Sequence, residues 1–314
     1  MRMKEIKRVA VLGAGTMGHG IAQCFAQGGC DVSLNDLNQE ILKKSLERIE
    51  SNLKTFAAAG LVERKTIPGV LGRISTTPNL EEAVKEADFI QETVKEDLKV
   101  KQEVFRRVEA ACPRGAIIAT NTSGLRLTDI NQGVKRKERT IIAHWVNPPH
   151  IIPAVEVAKG EGTSEATLLA TYDFLLKLKK WPVRISKEVP GLVINRLQAA
   201  FFREVLALLD SGVVEPAQLD RAVKGGIGFR LAFLGPVEVA DFGGLDIWYK
   251  VMCDLYPVID RSLEPPAILK KKVEAGDLGV KSGKGFYEYT PETVLVKTEE
   301  RDRQFLQRLK DLLS

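Results

Sequence analysis

A histidine and a glutamate that lie twelve residues apart could together move a proton. His144 ends a predicted strand over 140–144, and Glu156 follows a proline-rich turn on what the pattern indicates is a second strand. Imidazole, with an ordinary pKa of about 6.5, can take the hydroxyl proton when an alcohol is oxidised and return it in the reverse reaction. A neighbouring carboxylate would orient it. On residue type alone, His144 could also be a hydrogen-bonded structural histidine and Glu156 a surface residue.

A glycine-rich segment is the second chemical signal. Gly13-Ala14-Gly15-Thr16-Met17-Gly18 lies between a predicted strand and a predicted helix, where glycines permit a tight turn and pyrophosphate can meet the helix N-terminus. Asp36 ends the next predicted strand, 18 residues after Gly18, where a carboxylate can bind a ribose diol. Because Asp36 would repel a 2′-phosphate and Leu37 and Asn38 supply no arginine, NAD is predicted in preference to NADP. A chance glycine-rich turn and FAD are the alternatives.

The elements that must position these residues alternate between strands and helices. Strands are predicted over 8–12, 31–35, 89–92, 116–120 and 140–144, and helices over 16–27 and 98–111, with a further amphipathic stretch from Asn38. This order is typical of α/β proteins and predicts an N-terminal Rossmann-type, doubly wound parallel sheet.

A change of pattern near residue 187 predicts a second domain. After a last strand over 183–186, Pro190-Gly191 marks a break, and the remaining sequence has helical spacing, notably over 195–210 and 237–255. We therefore predict a NAD-binding domain over 1–187 and a mostly α-helical domain over 188–314, which ends in a solvated helix over 298–314.

Composition limits the classes of protein. Hydrophobic residues make up 44% and charged residues 28% of the 314 residues, as in ordinary globular proteins. No apolar run is long enough to span a bilayer and no signal peptide pattern is present, so a cytoplasmic protein without membrane contacts is expected. The net charge of +5 is spread along the chain, which suits acidic substrates and does not predict nucleic-acid binding. The four cysteines are expected to be buried small hydrophobes, and no metal site is expected.

Several separate motifs resemble those of the L-3-hydroxyacyl-CoA dehydrogenase family, and the resemblance extends over both predicted domains. These motifs are the glycine-rich stretch 13–20, Glu96-Asp97-Leu98-Lys99-Val100-Lys101, Asn121-Thr122-Ser123, His144 with Asn147 and Glu156, Val189-Pro190-Gly191 through Asn195-Arg196, and Lys281-Ser282-Gly283-Lys284-Gly285-Phe286-Tyr287.

The resemblance implies roles for individual residues. His144 would be the general base and Glu156 its partner, while Ser123 and Asn195 would hydrogen-bond the reacting oxygen or the histidine. The nicotinamide end of NAD would be held by Glu96, Lys101 and Asn147. Ser123 and Asn195 could instead be helix N-caps, and Lys101 a solvated side chain. Lys54, His150 and Arg230 are further candidates for substrate binding, and the helical domain would form a homodimer.

One segment departs from the pattern of the family members that act on short acyl-CoA thioesters. Those members often carry Lys-Gly-Lys after the second strand's long helix, whereas this chain has Ala59-Gly60-Leu61, although Lys54, Arg64 and Lys65 lie nearby. Gly124, after the serine, and the Asn147-Pro148-Pro149 stretch look more like a branch that acts on free acids, such as gulonate, carnitine and pyridine-carboxylate dehydrogenases and lambda-crystallin.

Three hypotheses follow. The first is reversible NAD-dependent oxidation of a short-chain 3-hydroxyacyl-CoA to the 3-oxoacyl-CoA. The second is the same chemistry on a free hydroxy acid or small carboxylate. The third is a non-catalytic NAD-binding protein with a structural role, against which the joint presence of His144, Glu156, Ser123 and Asn195 argues.

Overall fold

The computed structural model describes residues 5–313. Eight strands form a single sheet: β1 (Arg8–Leu12), β2 (Asp31–Asn35), β3 (Ile74–Thr77), β4 (Phe89–Glu92), β5 (Ile117–Thr120), β6 (Thr140–Trp145), β7 (Ala154–Ala158) and β8 (Trp181–Ile185). Their order is β3-β2-β1-β4-β5-β6-β7-β8, and the first six strands are parallel. The predicted Rossmann-type sheet is confirmed.

Helices account for most of the remaining structure in the described part of the chain. They are α1 (Gly18–Gln27), α2 (Gln39–Ala58), α3 (Ile67–Leu71), α4 (Leu80–Val84), α5 (Leu98–Ala111), α6 (Leu127–Ile130), α7 (Glu165–Lys177), α8 (Ile194–Asp210), α9 (Pro216–Gly225), α10 (Ile227–Leu231), α11 (Pro236–Gly243), α12 (Leu245–Leu255), α13 (Ala267–Glu274) and α14 (Pro291–Leu313). None of them is long and apolar enough to cross a membrane.

Alternate residues of the central strands enter two separate apolar cores. In β1, Val9 and Val11 belong to the core that contains Phe25 of α1, whereas Ala10 and Leu12 belong to the core that contains Phe105 of α5. A strand whose side chains are buried on both faces reads as a continuous apolar run, and this is why β1 was predictable. The two cores fix the sheet, and its carboxyl edge therefore presents the glycine-rich turn and the end of β6.

The direction of β7 differs from the predicted all-parallel sheet. β7 is antiparallel to β6, and β8 is parallel to β7. The segment 146–153 between β6 and β7 contains no helix and is too short for the crossover that a parallel strand would need. The reversal brings His144 and Glu156 opposite each other in the strand register.

Three local features differ from what was expected from the sequence. The helix predicted over 237–255 is two helices, because Gly244 adopts a left-handed φ of 84° between α11 and α12. Strand β3 was not predicted, since its sequence Ile-Ser-Thr-Thr buries only two of its four residues. Cys24, Cys30 and Cys112 are buried as expected, but Cys253 is exposed.

The chain divides into two compact units. The first unit extends to Asn195 and also includes the chain from Glu300, and the second unit comprises Arg196–Glu299. The helix predicted over 298–314 is α14, and it is not simply solvated. Leu306 and Leu309 are 1% and 8% exposed and form a small core with Phe56 and Ile151.

Replacing Leu306 with alanine tests this small core. We expect the free energy of unfolding to fall by about 2–5 kcal/mol, the usual cost of removing a buried leucine side chain. Leu295 lies on the same helix and is 65% exposed, so Leu295→Ala should change stability by less than about 0.5 kcal/mol. Urea unfolding followed by tryptophan fluorescence measures both variants, and equal stabilities would show that α14 is solvated as the sequence suggested.

Candidate active site

His144 and Glu156 form a buried pair across two antiparallel strands. His144 Nδ1 lies 2.7 Å from Glu156 Oε2, and the two residues are 6% and 0% exposed. A neutral imidazole whose Nδ1–H donates to a carboxylate carries its lone pair on Nε2. The pair can therefore accept a proton at Nε2 and stabilise the resulting imidazolium.

The other oxygen of Glu156 is held by the start of α8. Glu156 Oε1 accepts hydrogen bonds from the backbone N–H groups of Val193 and Ile194, at 2.8 and 2.9 Å. Burial alone would raise the pKa of Glu156, but the hydrogen bonds from His144, Ile194 and Val193 outweigh it and hold the pKa below the ordinary value. Glu156 is thus an ionised carboxylate in a site with little access to water.

The three motif glycines have different physical roles. Gly13 has φ of +95°, and a Cβ there would lie 2.8 Å from the Thr93 carbonyl oxygen. A Cβ at Gly18 would lie 1.8 Å from the Gly13 carbonyl oxygen, so the turn and the helix pack too closely for a side chain. Gly15 has nothing within 4 Å of its Cβ position and leaves space for a ligand. Thr16 and Met17 form the turn, because α1 begins at Gly18 and not at residue 16.

Asp36 lies beside this turn, at the end of β2. Asp36 Oδ2 accepts a hydrogen bond from the Ala14 backbone N–H at 3.0 Å, and Oδ1 accepts one from the Asn38 N–H at 3.1 Å. Asn38 in turn caps α2 by accepting from Glu40 N. The carboxylate therefore joins the glycine-rich turn to the start of α2 at the position where a ribose diol is expected.

Four of the predicted residues are brought together near the ends of β4 and β5. Glu96 Oε1 accepts from the backbone N–H of Ser123 at 3.1 Å, and Glu96 Oε2 lies 3.3 Å from Lys101 Nζ. Asn195 Nδ2 lies 3.5 Å from the Ser123 carbonyl oxygen, a long hydrogen bond. Lys101 is 1% exposed and is therefore not the solvated side chain that was the alternative.

Neither Ser123 nor Asn195 is a helix N-cap. Ser123 precedes Arg126, which is the N-cap of α6, and Asn195 is the second residue of α8. Asn147 is exposed after the end of β6, and its peptide bond to Pro148 is cis. The roles of these residues stay predictions.

The other candidates for substrate binding are dispersed. Lys54 is paired with Glu50 at 2.7 Å on the surface of α2, and Arg230 lies in α10 of the second unit. His150 packs near His19 and Phe56. Its pKa is lowered to about 4 by burial and by the nearby charges of His19, Lys180 and Arg301. A neutral His150 would not supply positive charge to an acidic substrate.

Glu92 was not predicted as a site residue, although it is fully buried at the end of β4 and pairs with Lys101 at 2.7 Å. An acidic residue at the end of a predicted strand that begins with Phe89 and Ile90 was the available signal. Residues 5–313 contain no cluster of three or more His, Cys, Asp or Glu side chains that could hold a metal ion.

Comparison with known proteins identifies the family. Residues 8–189 match the family model described as the 3-hydroxyacyl-CoA dehydrogenase NAD binding domain, and residues 191–289 match the model of the C-terminal domain of the same enzymes. The chain belongs to the 3-hydroxyacyl-CoA dehydrogenase family. It is accordingly an NAD-dependent dehydrogenase, as the glycine-rich turn and Asp36 predicted.

Relatives that act on different substrates are similar to the chain over nearly its whole length. A 5-formyl-3-hydroxy-2-methylpyridine 4-carboxylate 5-dehydrogenase of Mesorhizobium japonicum is 33% identical and covers 96% of each chain. A probable 3-hydroxybutyryl-CoA dehydrogenase of Bacillus subtilis is 37% identical over 92% of this chain and 99% of the relative. The crystal structure of a dehydrogenase for the same pyridine carboxylic acid, described as an NAD⁺-dependent dismutase, has a TM-score of 0.90 at 32% identity and covers 96% of this chain and 97% of that one.

Proposed function

We propose that the protein oxidises the hydroxyl group of a small free carboxylic acid reversibly, with His144 as the general base. The observation that carries the chemistry is the buried His144–Glu156 pair at the carboxyl edge of the sheet, together with the glycine-rich turn. Bound NAD supplies the acceptor for the hydride. His144 accepts the hydroxyl proton at Nε2 as the hydride leaves the carbon atom, and it returns that proton when the carbonyl is reduced.

The surroundings of His144 favour this proton transfer. Glu156 is ionised and fixed by two backbone N–H groups, so its negative charge stabilises the imidazolium of His144 as that cation forms. The burial of both side chains strengthens this attraction, because the local dielectric is low. Ser123 and Asn195 would donate hydrogen bonds to the reacting oxygen, and Asp36 would hold the adenosine ribose of NAD.

The preference for a free acid rests on the segment after α2. Ala59 and Leu61 occupy the place where thioester-using members often carry lysines. Together with Val62 they pack against the core that Leu306 and Leu309 form with Phe56 and Ile151. This apolar cover is supplied by α14, all of which lies beyond the residues that match the family models. The whole-length similarity to pyridine-carboxylate dehydrogenases is in accord with a free acid.

A 3-hydroxyacyl-CoA is the second candidate substrate, and one contact favours it. Lys310 Nζ lies 3.3 Å from the position that a Cβ would take at Gly60. Lys310 of α14 therefore lies beside the segment 59–61, which itself contains no lysine. A flexible ammonium group can bind a phosphate from several positions.

A comparison of substrates separates the two candidates. NADH absorbance is followed with acetoacetate, with 5-formyl-3-hydroxy-2-methylpyridine 4-carboxylate and with acetoacetyl-CoA at matched concentrations. We expect a free acid to be used with a kcat/KM at least about 10-fold above that of the thioester. Turnover of the thioester alone would overturn the preference. Lys310→Ala should leave turnover of a free acid unchanged, whereas it would raise KM for acetoacetyl-CoA if coenzyme A bound at Gly60.

We further propose that the protein is a homodimer in which the second unit faces a second copy. Leu219 is the one buried residue among residues 196–299, all of which the structure describes. Large apolar side chains of this unit are exposed instead, including Phe233 at 71% and Phe242 at 82%. A unit of this size normally buries a core of its own, so this apolar surface needs a partner. A second copy presents the same surface and can match it by two-fold symmetry.

Light scattering tests the dimer. The wild-type chain should have twice its mass of 34.7 kDa, and Phe233→Glu combined with Phe242→Glu should shift it towards the monomer because buried charges oppose association. Leu37, in the first unit, is 85% exposed, so Leu37→Glu is the matched control and should leave the mass unchanged. A wild-type monomer at micromolar concentration would refute the proposal.

A further inference from the structure

A partly buried chain of alternating charges connects β4, α5 and the segment between them, beside the predicted nicotinamide end of the site. Glu92 ends β4, Lys101 lies in α5, and Glu96 lies in the segment between these elements. Lys101 Nζ is 2.7 Å from Glu92 Oε1, 3.3 Å from Glu96 Oε2 and 3.4 Å from the Val94 carbonyl oxygen. All three hydrogen atoms of the ammonium group therefore have partners within the protein.

Glu92 anchors this chain in the sheet. Its Oε1 also accepts from the Val94 backbone N–H at 2.7 Å, and its Oε2 accepts from Thr120 Oγ1 at 2.6 Å. Burial raises the pKa of Glu92, while the charge and hydrogen bond of Lys101 oppose that rise. A buried carboxylate and a buried ammonium are each costly alone, so each requires the other.

Glu96 carries the effect to the segment that contains Ser123. Its Oε1 accepts from Thr122 Oγ1 at 2.6 Å and from the backbone N–H groups of Ser123 and Gly124, both at 3.1 Å. Partial burial alone would raise the pKa of Glu96, but the Thr122 hydrogen bond and the Lys101 charge outweigh it and lower the pKa. The side chain of Glu96 is still 41% exposed, in contrast to the 1% of Lys101.

We propose that Glu92 and Lys101 are a positioning pair: Glu92 fixes Lys101, and Lys101 holds Glu96 and, through it, the segment that presents Ser123. Lys101 then acts on cofactor binding and on the reaction through Glu96, the residue of the three that is most exposed. This inference rests on the proposed function, because it assigns the pair to the site where His144 acts.

The experiment separates positioning from simple structural support by removing the two charges singly and together. Lys101→Met leaves Glu92 buried without its cation. Because the folded protein then favours protonated Glu92, with a pKa raised above that of the unfolded chain, stability should be lost as pH rises from about 5 to about 8. Adding Glu92→Gln removes the stranded charge and should restore the melting temperature and its pH dependence to near those of the wild type.

Activity and cofactor binding should not recover in the same double variant. We expect kcat to stay lowered by about 10–100-fold, because Glu96 and the Ser123 segment lose their fixed position. The Kd for NADH, measured by fluorescence titration, should stay raised by at least about 4-fold. This is the change expected when the displaced segment loses about one hydrogen bond to the cofactor. Lys99 is exposed on the same turn of α5, so Lys99→Met is the matched control and should leave all three measurements unchanged.

A double variant that regains stability, NADH affinity and kcat together would overturn the proposal and show that the pair is only structural. NADH binding tests the positioning pair even if the wild-type protein turns over none of the test substrates. An absence of turnover by the wild-type protein would contradict the proposed function, whereas unchanged NADH affinity in a stable double variant would contradict the positioning pair.

Discussion

The carboxylate of Glu156 is buried without contact with solvent, and its desolvation must be offset within the protein. Three hydrogen bonds do this: one from His144 and two from the backbone N–H groups at the start of α8. Each donor depends on a larger feature of the fold. The antiparallel register of β6 and β7 brings His144 opposite Glu156, and the turn after β8 brings the first residues of α8 to the other carboxylate oxygen.

The parallel part of the sheet provides the second half of the site. Because β1, β2, β4 and β5 all end at the same edge, the glycine-rich turn, Asp36, Glu92 and the Ser123 segment are collected there. The reversal at β7 is what places a carboxylate next to the last residue but one of β6. A uniformly parallel sheet would have placed a helical crossover after β6, and Glu156 would not lie in register with His144.

Much of the fold could be predicted because buried strands have a strong local signal. The bounds predicted for β1, β2, β4 and α5 match the structure residue for residue. β1 is an apolar run after Arg8, β2 and β4 are short runs that also contain polar residues, and α5 is an amphipathic helix. The glycines and Asp36 could be found because their roles are set by neighbours in sequence. His144 and Glu156 were found by residue type and by family resemblance, and the structure places them in contact.

What the sequence did not reveal depends on contacts between distant residues. The direction of β7, the burial of Leu306 and Leu309 against Phe56, and the Glu92–Lys101 pair each require the folded arrangement. The amphipathic α14 shows the difficulty: its many charged residues predicted a solvated helix, although two leucines spaced three residues apart are enough to dock one face. The local sequence pattern gives the composition of a helix face, but it does not show which distant residues pack against that face.

Measuring hydride transfer in His144→Gln, with NADH binding in parallel, tests directly whether His144 is the general base. With the substrate that the wild-type protein uses, we expect kcat to fall by about 10²–10⁴-fold, the range for loss of a general base. The Kd for NADH should stay within about 3-fold of the wild-type value, because the glycine-rich turn and Asp36 are untouched. A His144→Gln variant that retains wild-type kcat would contradict the assignment of His144 as the base.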